Sequence, residues 1–461
     1  MTQDISHHIF RAYDIRGLYN KDISPEVFYK IGLAAGTYVK DTMQGTHITL
    51  GNDIRQSSIP LAHAFIAGVT ATGIHIKYTG TTSFGQTLFM GAEHKADLIA
   101  FVTASHLPPE WNGIKFYYGD GVGFPEERLM EIRDLVLHEK FSFTSWDSIG
   151  QVQVVDPRTT YKNFFSSRFR FKKKLTVALD CGGASMTLSA PEIFTMIGLE
   201  VLPVYCDPDP TFSQRPSDPK PKHLTTLVQT IQKHAADFGV AFDGDGDRAV
   251  IVDNTGQILS ADQTGVILGT YGLHQKKGTI IVNVECSKIV KEQLEPLGFR
   301  IKQIPVGHTF LTLEAKQEHA PLGIESSGHL ILPEYFLFDD ALVVPLKIAE
   351  ILSHEKKSLH DLVTRIPSYP TKKEEISCSD EMKFAVIKAL KQTLSKEYSD
   401  VNTMDGIRVD FKDGWVLIRA SNTSPIIRLT TEADTPEILQ DLTTRFMKKT
   451  QEMIHTMQKS P

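Results

Sequence analysis

Short apolar strands alternate with amphipathic helices through most of this chain, and that pattern constrains its fold more than any other feature. Leu98–Val102 and Phe238–Phe242 are apolar runs of strand length, and Ser24-Pro25 is a typical helix start with serine as the cap. Such alternation predicts parallel or mixed sheets whose faces are covered by helices. At 461 residues, the chain is long enough for three or four domains of this kind.

The end of the chain follows a different pattern. Ile407–Phe411 alternates apolar and polar residues, a turn with Asp413-Gly414 follows, and the next residues are again apolar, which predicts a hairpin. Two helical patterns, at about residues 380–395 and 435–457, are expected to cover this antiparallel sheet. Residues 366–373 are interpreted as the linker that leads into it. The breaks along the chain predict four domains, with bounds 1–154, 155–256, 257–368 and 369–461.

Composition excludes several classes of protein. The net charge of −6 argues against a nucleic-acid or membrane binder, and the sequence has no apolar run long enough to span a bilayer. The first residues, Met1-Thr2-Gln3-Asp4, lack a secretory signal pattern, and the four cysteines are scattered without zinc spacing. We therefore expect a cytoplasmic protein with small-molecule partners, as a monomer or a weak homo-oligomer.

The segment Thr103-Ala104-Ser105-His106 directly follows the predicted strand at 98–102. This places Ser105 at the carboxyl edge of a sheet, where ligands bind in α/β proteins. Most serines are ordinary solvated loop residues. Ser105 is of interest because a second loop, far downstream, supplies the groups that a phosphorylated serine needs.

That second loop is Asp243-Gly244-Asp245-Gly246-Asp247-Arg248, which follows the predicted strand at 238–242. Three carboxylates at alternate positions, separated by glycines, suit a tight loop whose oxygens converge on one hard cation. Mg²⁺ is usually held by a few carboxylates together with phosphate oxygens, which this composition allows. The alternatives are a calcium-type structural turn and a plain acidic turn.

Three further segments carry candidate binding groups. Glu325 and Ser327 lie in a polar loop and suit the hydroxyls of a sugar, although such a loop is also a common turn. The segment after Arg419, together with Arg428, offers guanidinium, hydroxyl and backbone N–H groups to an anion, with a solvated polar loop as the alternative. Arg16 suits a transferring phosphoryl group, unless it forms an ordinary surface salt bridge.

These loops, in this order, resemble the α-D-phosphohexomutase superfamily, in particular its phosphomannomutase/phosphoglucomutase branch. The similarity runs from residues 10–17 to Arg428 and so covers nearly the whole chain. It implies three similar α/β domains with mixed or parallel sheets and a C-terminal antiparallel α+β domain around one central cleft. The chain departs from the family at Leu107, where asparagine is usual, at Ile324, which separates Gly323 from Glu325, and at Glu285, where a sugar-contacting lysine is common.

The resemblance also implies roles for individual residues. The catalytic set that it implies is Ser105, His106, Lys115, Arg16, Arg248 and His329. The substrate-binding set is Tyr13, His308, Glu325, Ser327, Arg419, Ser421, Asn422, Thr423 and Arg428. The implied ligands of Mg²⁺ are Ser105, Asp243, Asp245 and Asp247.

The implied reaction interconverts hexose 6-phosphate and hexose 1-phosphate through phosphorylated Ser105 and a hexose 1,6-bisphosphate. A general base must accept the proton of the sugar hydroxyl; His329 is our first candidate, with Lys115 and His308 as alternatives. Other functions stay open: a phosphoglucosamine mutase, a metal-dependent sugar phosphatase that would hydrolyse the phosphoserine, or a sugar-phosphate binding protein without activity.

Overall fold

The computed structural model describes residues 5–273, 277–421 and 425–459. Its strands form four sheets, each built from one continuous stretch of the chain. The first three sheets mix parallel and antiparallel pairs, and the fourth is antiparallel throughout. The predicted fold class is therefore confirmed. Within the described ranges, no helix combines the length and apolar character needed to cross a membrane.

The first unit contains a six-stranded sheet. Its elements are β1 (Asp14–Leu18), α1 (Pro25–Asp41), β2 (His47–Asn52), α2 (Ser58–Ala71), β3 (His75–Thr81), α3 (Phe84–Glu93), β4 (Leu98–Val102), β5 (Trp111–Tyr118), α4 (Glu126–Leu137) and β6 (Val152–Val154). The strand order is β1-β5-β4-β2-β3-β6. Helix α1 begins as predicted, because the Ser24 hydroxyl accepts a hydrogen bond from the Val27 N–H at 3.3 Å. Strand β4 is buried throughout and lies inside the sheet, so the loop after it has a firm support.

The second and third units each contain a four-stranded sheet. The second consists of α5 (Arg158–Arg168), β7 (Thr176–Asp180), α6 (Ala190–Met196), β8 (Glu200–Val204), α7 (Thr225–His234), β9 (Phe238–Phe242) and β10 (Ala249–Asp253). The third consists of α8 (Ala261–Ile267), β11 (Thr279–Asn283), α9 (Lys288–Leu294), β12 (Arg300–Ile304), α10 (His308–Gln317), β13 (Gly323–Ile324), β14 (Leu330–Ile331), α11 (Val343–His354) and α12 (Leu359–Val363). The orders are β10-β9-β7-β8 and β12-β11-β13-β14.

The fourth unit is the antiparallel one. It consists of β15 (Thr371–Ser377), α13 (Asp380–Glu397), β16 (Val401–Asn402), β17 (Ile407–Phe411), β18 (Gly414–Ala420), β19 (Ile426–Ala433) and α14 (Pro436–Lys459), with the strand order β15-β19-β18-β17-β16. The predicted hairpin and both predicted helices are present. The linker predicted at 366–373 is too long, because Thr371 already pairs with Glu432 as the first residue of β15.

The units differ in how they share an apolar core. One buried cluster contains Phe84 and Tyr117 from the first unit, Phe242 from the second and Phe338 from the third, so these units are packed together. The fourth unit has a separate core between its sheet and its helices. The cleft described below lies between the joined units and the fourth one.

Candidate active site

Ser105 lies in the loop after β4, and its hydroxyl points at the acidic loop of the second unit. The backbone of Ser105 has a φ of +51°, a left-handed conformation, and its N–H donates to the Thr103 hydroxyl at 2.8 Å. Its Oγ lies 3.3 Å from the Asp243 carboxylate and 3.3 Å from His106 Nδ1. Desolvation, followed by the charge of Arg248, lowers the pKa of His106 to about 3, so this imidazole is neutral.

The acidic loop brings three carboxylates together. One oxygen from each of Asp243, Asp245 and Asp247 lies within 4.8 Å of the others, and all three residues are buried. One oxygen of Asp245 and one of Asp247 are buried and have no hydrogen-bond partner among the described residues. A Cβ on Gly244 would lie 2.3 Å from the Ser105 carbonyl oxygen, so glycine is what lets the two loops meet. These unsatisfied oxygens fit a divalent cation beside Ser105.

Two cationic side chains contact these carboxylates. Lys115, on β5, places Nζ 3.0 Å from Asp245 and 2.6 Å from Asp247. Arg248 lies 3.0 Å from Asp243. Burial alone would lower the pKa of Lys115, but its two carboxylate partners outweigh burial and raise it well above the usual value. Burial, followed by repulsion from Asp247, raises the pKa of Asp243. A divalent cation would relieve that repulsion.

Two imidazoles in the cleft differ in protonation: one is held protonated and the other neutral. His329 Nδ1 is hydrogen-bonded to the Asp339 carboxylate. Burial alone would lower the pKa of His329, but Asp247 and Asp339 outweigh burial and raise it to about 9. His308 stacks against His329 with ring centroids 5.6 Å apart, and desolvation lowers its pKa to about 4. Near neutral pH, His329 is therefore a cation and His308 is neutral.

Of the predicted sugar-binding residues, Tyr13 and His308 line the cleft, whereas Glu325 and Ser327 lie in the turn between β13 and β14, outside its lining. Glu325 is buried and accepts hydrogen bonds from the Gly307 N–H at 3.1 Å and the Ser327 hydroxyl at 2.8 Å. Burial raises the pKa of Glu325. Tyr13 donates its hydroxyl to the Val306 carbonyl at 3.0 Å, which joins the first unit to the third. Glu325 and Ser327 thus hold each other in place beside the loop that begins α10.

The fourth unit supplies the opposite end of the cleft. Arg419, on β18, is held by two carboxylates: Nη1 lies 3.1 Å from Glu285 and Nη2 lies 2.9 Å from Asp405. Arg428, on β19, is half exposed, and its nearest carboxylate is Glu375 at 3.6 Å. Position 285, where the resemblance leads us to expect a lysine, carries a carboxylate that pairs with Arg419. The two guanidinium groups at this end are therefore paired with carboxylates of the protein itself.

Most of the residues predicted from the sequence meet in one cleft of about 250 Å³. Its lining includes Tyr13, Arg16, Ser105, His106, Lys115, Asp247, His308, His329, Arg419, Ser421 and Arg428. Arg16 pairs with Asp14, its neighbour on β1. Directly behind this lining, Asp243 contacts Ser105, Asp245 contacts Lys115, and Arg248 contacts Asp243. Asn422 and Thr423 lie outside the described residues.

Arg55 is a supporting residue that the sequence analysis did not select. It is buried, pairs with Asp53 at 2.9 Å, and donates 2.7 Å hydrogen bonds to the carbonyl oxygens of Ser105 and Leu107. The Ser217 hydroxyl also donates to the Leu107 carbonyl, at 2.9 Å. Leu107 is therefore held through its backbone, which accounts for the tolerance of a different side chain there. The sequence signal that could have identified Arg55 is the charged pair in Asp53-Ile54-Arg55, which directly follows β2.

The fold and the cleft define a class: a four-sheet α/β protein with a buried serine beside three carboxylates. Models of the phosphoglucomutase/phosphomannomutase family match all four parts of the chain: α/β/α domain I at residues 7–143, domain II at 159–256, domain III at 260–369 and the C-terminal domain at 375–449. The chain belongs to the phosphoglucomutase/phosphomannomutase family. The resemblance inferred from the sequence is confirmed.

Individual relatives cover almost the full length. A probable phosphoglucosamine mutase of Methanopyrus kandleri is 31% identical, over 95% of this chain and 96% of its own. A phosphomannomutase/phosphoglucomutase of Pseudomonas aeruginosa is 32% identical, over 95% of this chain and 94% of its own. The crystal structure of a phosphoglucomutase/phosphomannomutase family protein from Burkholderia thailandensis superposes with a TM-score of 0.89 and 26% identity, and covers 97% of this chain and 98% of that one.

Proposed function

We propose that this protein is a phosphohexomutase that interconverts hexose 6-phosphate and hexose 1-phosphate through phosphorylated Ser105. The observation that carries the proposal is the position of the Ser105 hydroxyl, 3.3 Å from Asp243, in a cleft whose other end presents Arg419 and Arg428. The Ser105 end suits a phosphoryl group that is being transferred, and the end with Arg419 and Arg428 suits a phosphate that is bound but not transferred. A hexose with phosphates at both ends matches that arrangement.

The metal that we propose for the acidic loop is Mg²⁺, held by Asp243, Asp245, Asp247 and a phosphate oxygen on Ser105. Two of these carboxylates have an oxygen without a partner among the described residues, which supports a bound cation. Oxygen ligands and an incomplete protein shell are typical of Mg²⁺ sites. When bound, the ion would neutralise charge on the phosphoryl group and on the Ser105 oxygen.

The transfer itself exchanges one bond for another. The bond between phosphorus and Ser105 Oγ breaks and a bond from phosphorus to the sugar hydroxyl oxygen forms. The general base accepts the hydroxyl proton, and the departing Ser105 oxygen takes up a proton, which restores the serine hydroxyl. Lys115, Arg248 and Arg16 are placed to stabilise charge on the phosphoryl oxygens. The return step reverses these changes, with the other phosphate of the bisphosphate moving back to Ser105.

Proton transfer is assigned to His329 with Asp339. Because the pKa of His329 is about 9, this imidazole is protonated near neutral pH and suits the step in which the sugar oxygen leaves and needs a proton. In the reverse of that step, the imidazole is in the neutral form left after it has given up its proton, and it accepts the proton of the attacking hydroxyl. Lys115 is also held protonated, by its two carboxylate partners. His308, neutral near pH 7, is the alternative base.

The remaining residues predicted from the sequence are assigned to substrate binding. Glu325, Ser327, His308 and Tyr13 would contact the sugar. Arg419, Ser421, Asn422, Thr423 and Arg428 would hold the phosphate that is not being transferred. The bisphosphate must turn over between the half-reactions, so we expect the fourth unit to move relative to the others. We keep the predicted domain bounds, a cytoplasmic location and a monomeric or weakly associated state as parts of the proposal.

A coupled assay with three substrates tests this function. We expect mannose 1-phosphate, glucose 1-phosphate or glucosamine 1-phosphate to be converted to its 6-phosphate; the names of the relatives cover all three sugars. EDTA should abolish the activity and Mg²⁺ should restore it. Release of inorganic phosphate without a sugar 6-phosphate would indicate a phosphatase instead. Binding without any turnover would indicate a sugar-phosphate binding protein.

A further inference from the structure

Two cysteine thiols meet outside the cleft, at the carboxyl ends of neighbouring parallel strands of the second unit. Cys181 directly follows β7, and Cys206 lies two residues beyond β8. The pairing of the strands continues into this turn, since the Cys181 N–H donates to the Val204 carbonyl at 3.1 Å. The two Sγ atoms are 3.4 Å apart. The mutase mechanism proposed above uses neither thiol.

The two thiols differ in accessibility. Cys181 is fully buried, whereas Cys206 is partly exposed, so we expect a small oxidant to reach Cys206 first. The hydrogen bond with Cys181, which outweighs the effect of burial, lowers the pKa of the Cys206 thiol, and burial raises that of Cys181. Cys206 therefore suits the role of the attacking thiol, and Cys181 that of the resolving thiol. Cys286 and Cys378 are both buried.

We propose that Cys181 and Cys206 form an intramolecular disulfide when the protein meets a hydroperoxide. Cys206 Sγ attacks one peroxide oxygen, the O–O bond breaks, and with hydrogen peroxide one water leaves, so that Cys206 carries a sulfenic acid. Cys181 Sγ then attacks Cys206 Sγ, the S–O bond breaks, and a second water leaves. Two thiols are oxidised and one peroxide is reduced. Because an S–S bond is about 2.05 Å long, the sulfurs must approach by more than an ångström from 3.4 Å.

This thiol pair is joined to the acidic loop by buried polar contacts. Asp180, the residue before Cys181, pairs with Arg215 at 3.0 Å, and both side chains are 1% exposed. Arg215 in turn donates to the Phe242 carbonyl at 2.7 Å, immediately before Asp243. A shift at Cys181 is thus transmitted to the base of the acidic loop. We expect the disulfide to lower mutase turnover about tenfold or more, an expectation that rests on the proposed function.

The test is thiol counting on the full-length protein. Reduced protein is treated with hydrogen peroxide and then unfolded in denaturant that contains N-ethylmaleimide, which alkylates every free thiol. The product is measured by intact mass spectrometry and non-reducing peptide mapping. We expect two of the four cysteines to escape alkylation, a cross-linked peptide pair containing Cys181 and Cys206, and full reversal by dithiothreitol. Cys378→Ser should cross-link like the parent chain. Cys206→Ser, at the half-buried position, should keep its three thiols at the same dose.

Several results would overturn this proposal. Four alkylated cysteines after a dose that oxidises free glutathione completely would exclude the disulfide, as would a cross-link through Cys286 or Cys378. Irreversible oxidation of Cys206 without a cross-link would show that Cys181 does not resolve it. Because thiol counting and peptide mapping measure masses and not activity, they test the disulfide whether or not the protein shows mutase activity. Unchanged turnover in fully cross-linked, active enzyme would overturn the coupling to the acidic loop.

Discussion

The two ends of the cleft bind charge in different ways. At the Ser105 end, the side chains of Lys115, Asp245 and Asp247 are at most 4% exposed, and they belong to units that share one apolar core. At the other end, the Arg428 side chain is 46% exposed and belongs to a unit with its own core. The fourth unit meets the third through a small apolar cluster of Val284, Trp415 and Leu417.

This difference indicates which part of the site is preorganised before substrate binds. Buried charges around Ser105 cannot rearrange cheaply, so the groups proposed to stabilise a transferring phosphoryl are fixed before substrate arrives. The pairs of Arg419 with Glu285 and Asp405 are more exposed, and we expect a substrate phosphate to displace those carboxylates. A sugar bisphosphate that must reorient between the half-reactions requires a cleft with one fixed end and one end that can release the phosphate.

The largest effect is expected at the fixed end, from removal of the hydroxyl that we propose to carry the phosphate. Ser105→Ala should lower kcat by on the order of 10⁴-fold or more, because the covalent step then has no acceptor. Ser145→Ala, at an exposed serine outside the cleft, is the matched control and should retain the parental rate. Substantial mutase activity in Ser105→Ala would remove the distinction between the two ends.

The next effect concerns the buried ammonium. Lys115→Met removes the cation of Asp245 and leaves Asp247 only the more distant Arg248, at 3.6 Å, so we expect the free energy of unfolding to fall by about 3 kcal/mol in metal-free protein. Added Mg²⁺ should restore part of that loss. The control is Lys316→Met, whose partner Asp120 is exposed, and its cost should stay below about 1 kcal/mol. Equal costs for the two variants, measured by urea unfolding, would contradict the account.

A smaller effect is expected at the exchangeable end. Glu285→Gln removes a carboxylate that competes with phosphate for Arg419, so KM should fall about fivefold, equivalent to about 1 kcal/mol, while kcat changes little. Asp410→Asn removes the partner of Arg408, outside the cleft, and serves as the control with an unchanged KM. A higher KM in Glu285→Gln would mean that Glu285 positions Arg419 for substrate.

The last effect is absent at neutral pH: a dependence of stability on pH through His308, on the wall between the two ends. Its pKa is lowered from 6.5 to about 4 by desolvation, so the unfolded chain binds a proton that the folded one does not. Stability from this group is therefore lost as pH falls from about 6.5 to about 4. His308→Gln should flatten that part of the profile in thermal unfolding. An unchanged slope would show that His308 is not held neutral.

Much of the fold and the core of the site could be predicted because the signals are local. Ser105 is the third residue after the apolar strand β4, and Asp243 directly follows the apolar strand β9, so their places at sheet edges follow from the sequence. The hairpin of β17 and β18 is likewise encoded by alternation around a short turn. In each case, neighbouring residues carry the complete signal.

The remainder depends on contacts between distant segments. Lys115 and Asp247 are 132 residues apart in the chain, and no local pattern reports that their charges are paired and buried. The partner of His329, Asp339, follows an ordinary apolar stretch, and the pKa of about 9 exists only because the fold brings Asp247 and Asp339 to it. Strand β15 begins within the predicted linker, because pairing with β19 outweighs the linker-like composition of this segment, which has two prolines and two lysines.

The central claim is that Ser105 carries the phosphate between the two half-reactions, and its most direct test is intact-protein and peptide mass spectrometry. The protein is incubated with Mg²⁺ and a hexose 1,6-bisphosphate, and then with excess hexose 6-phosphate. We predict one phosphate per chain after the first step, located on Ser105, and its loss to the sugar after the second. A phosphate on another residue, or a phosphate on Ser105 that the sugar does not accept, would contradict the account.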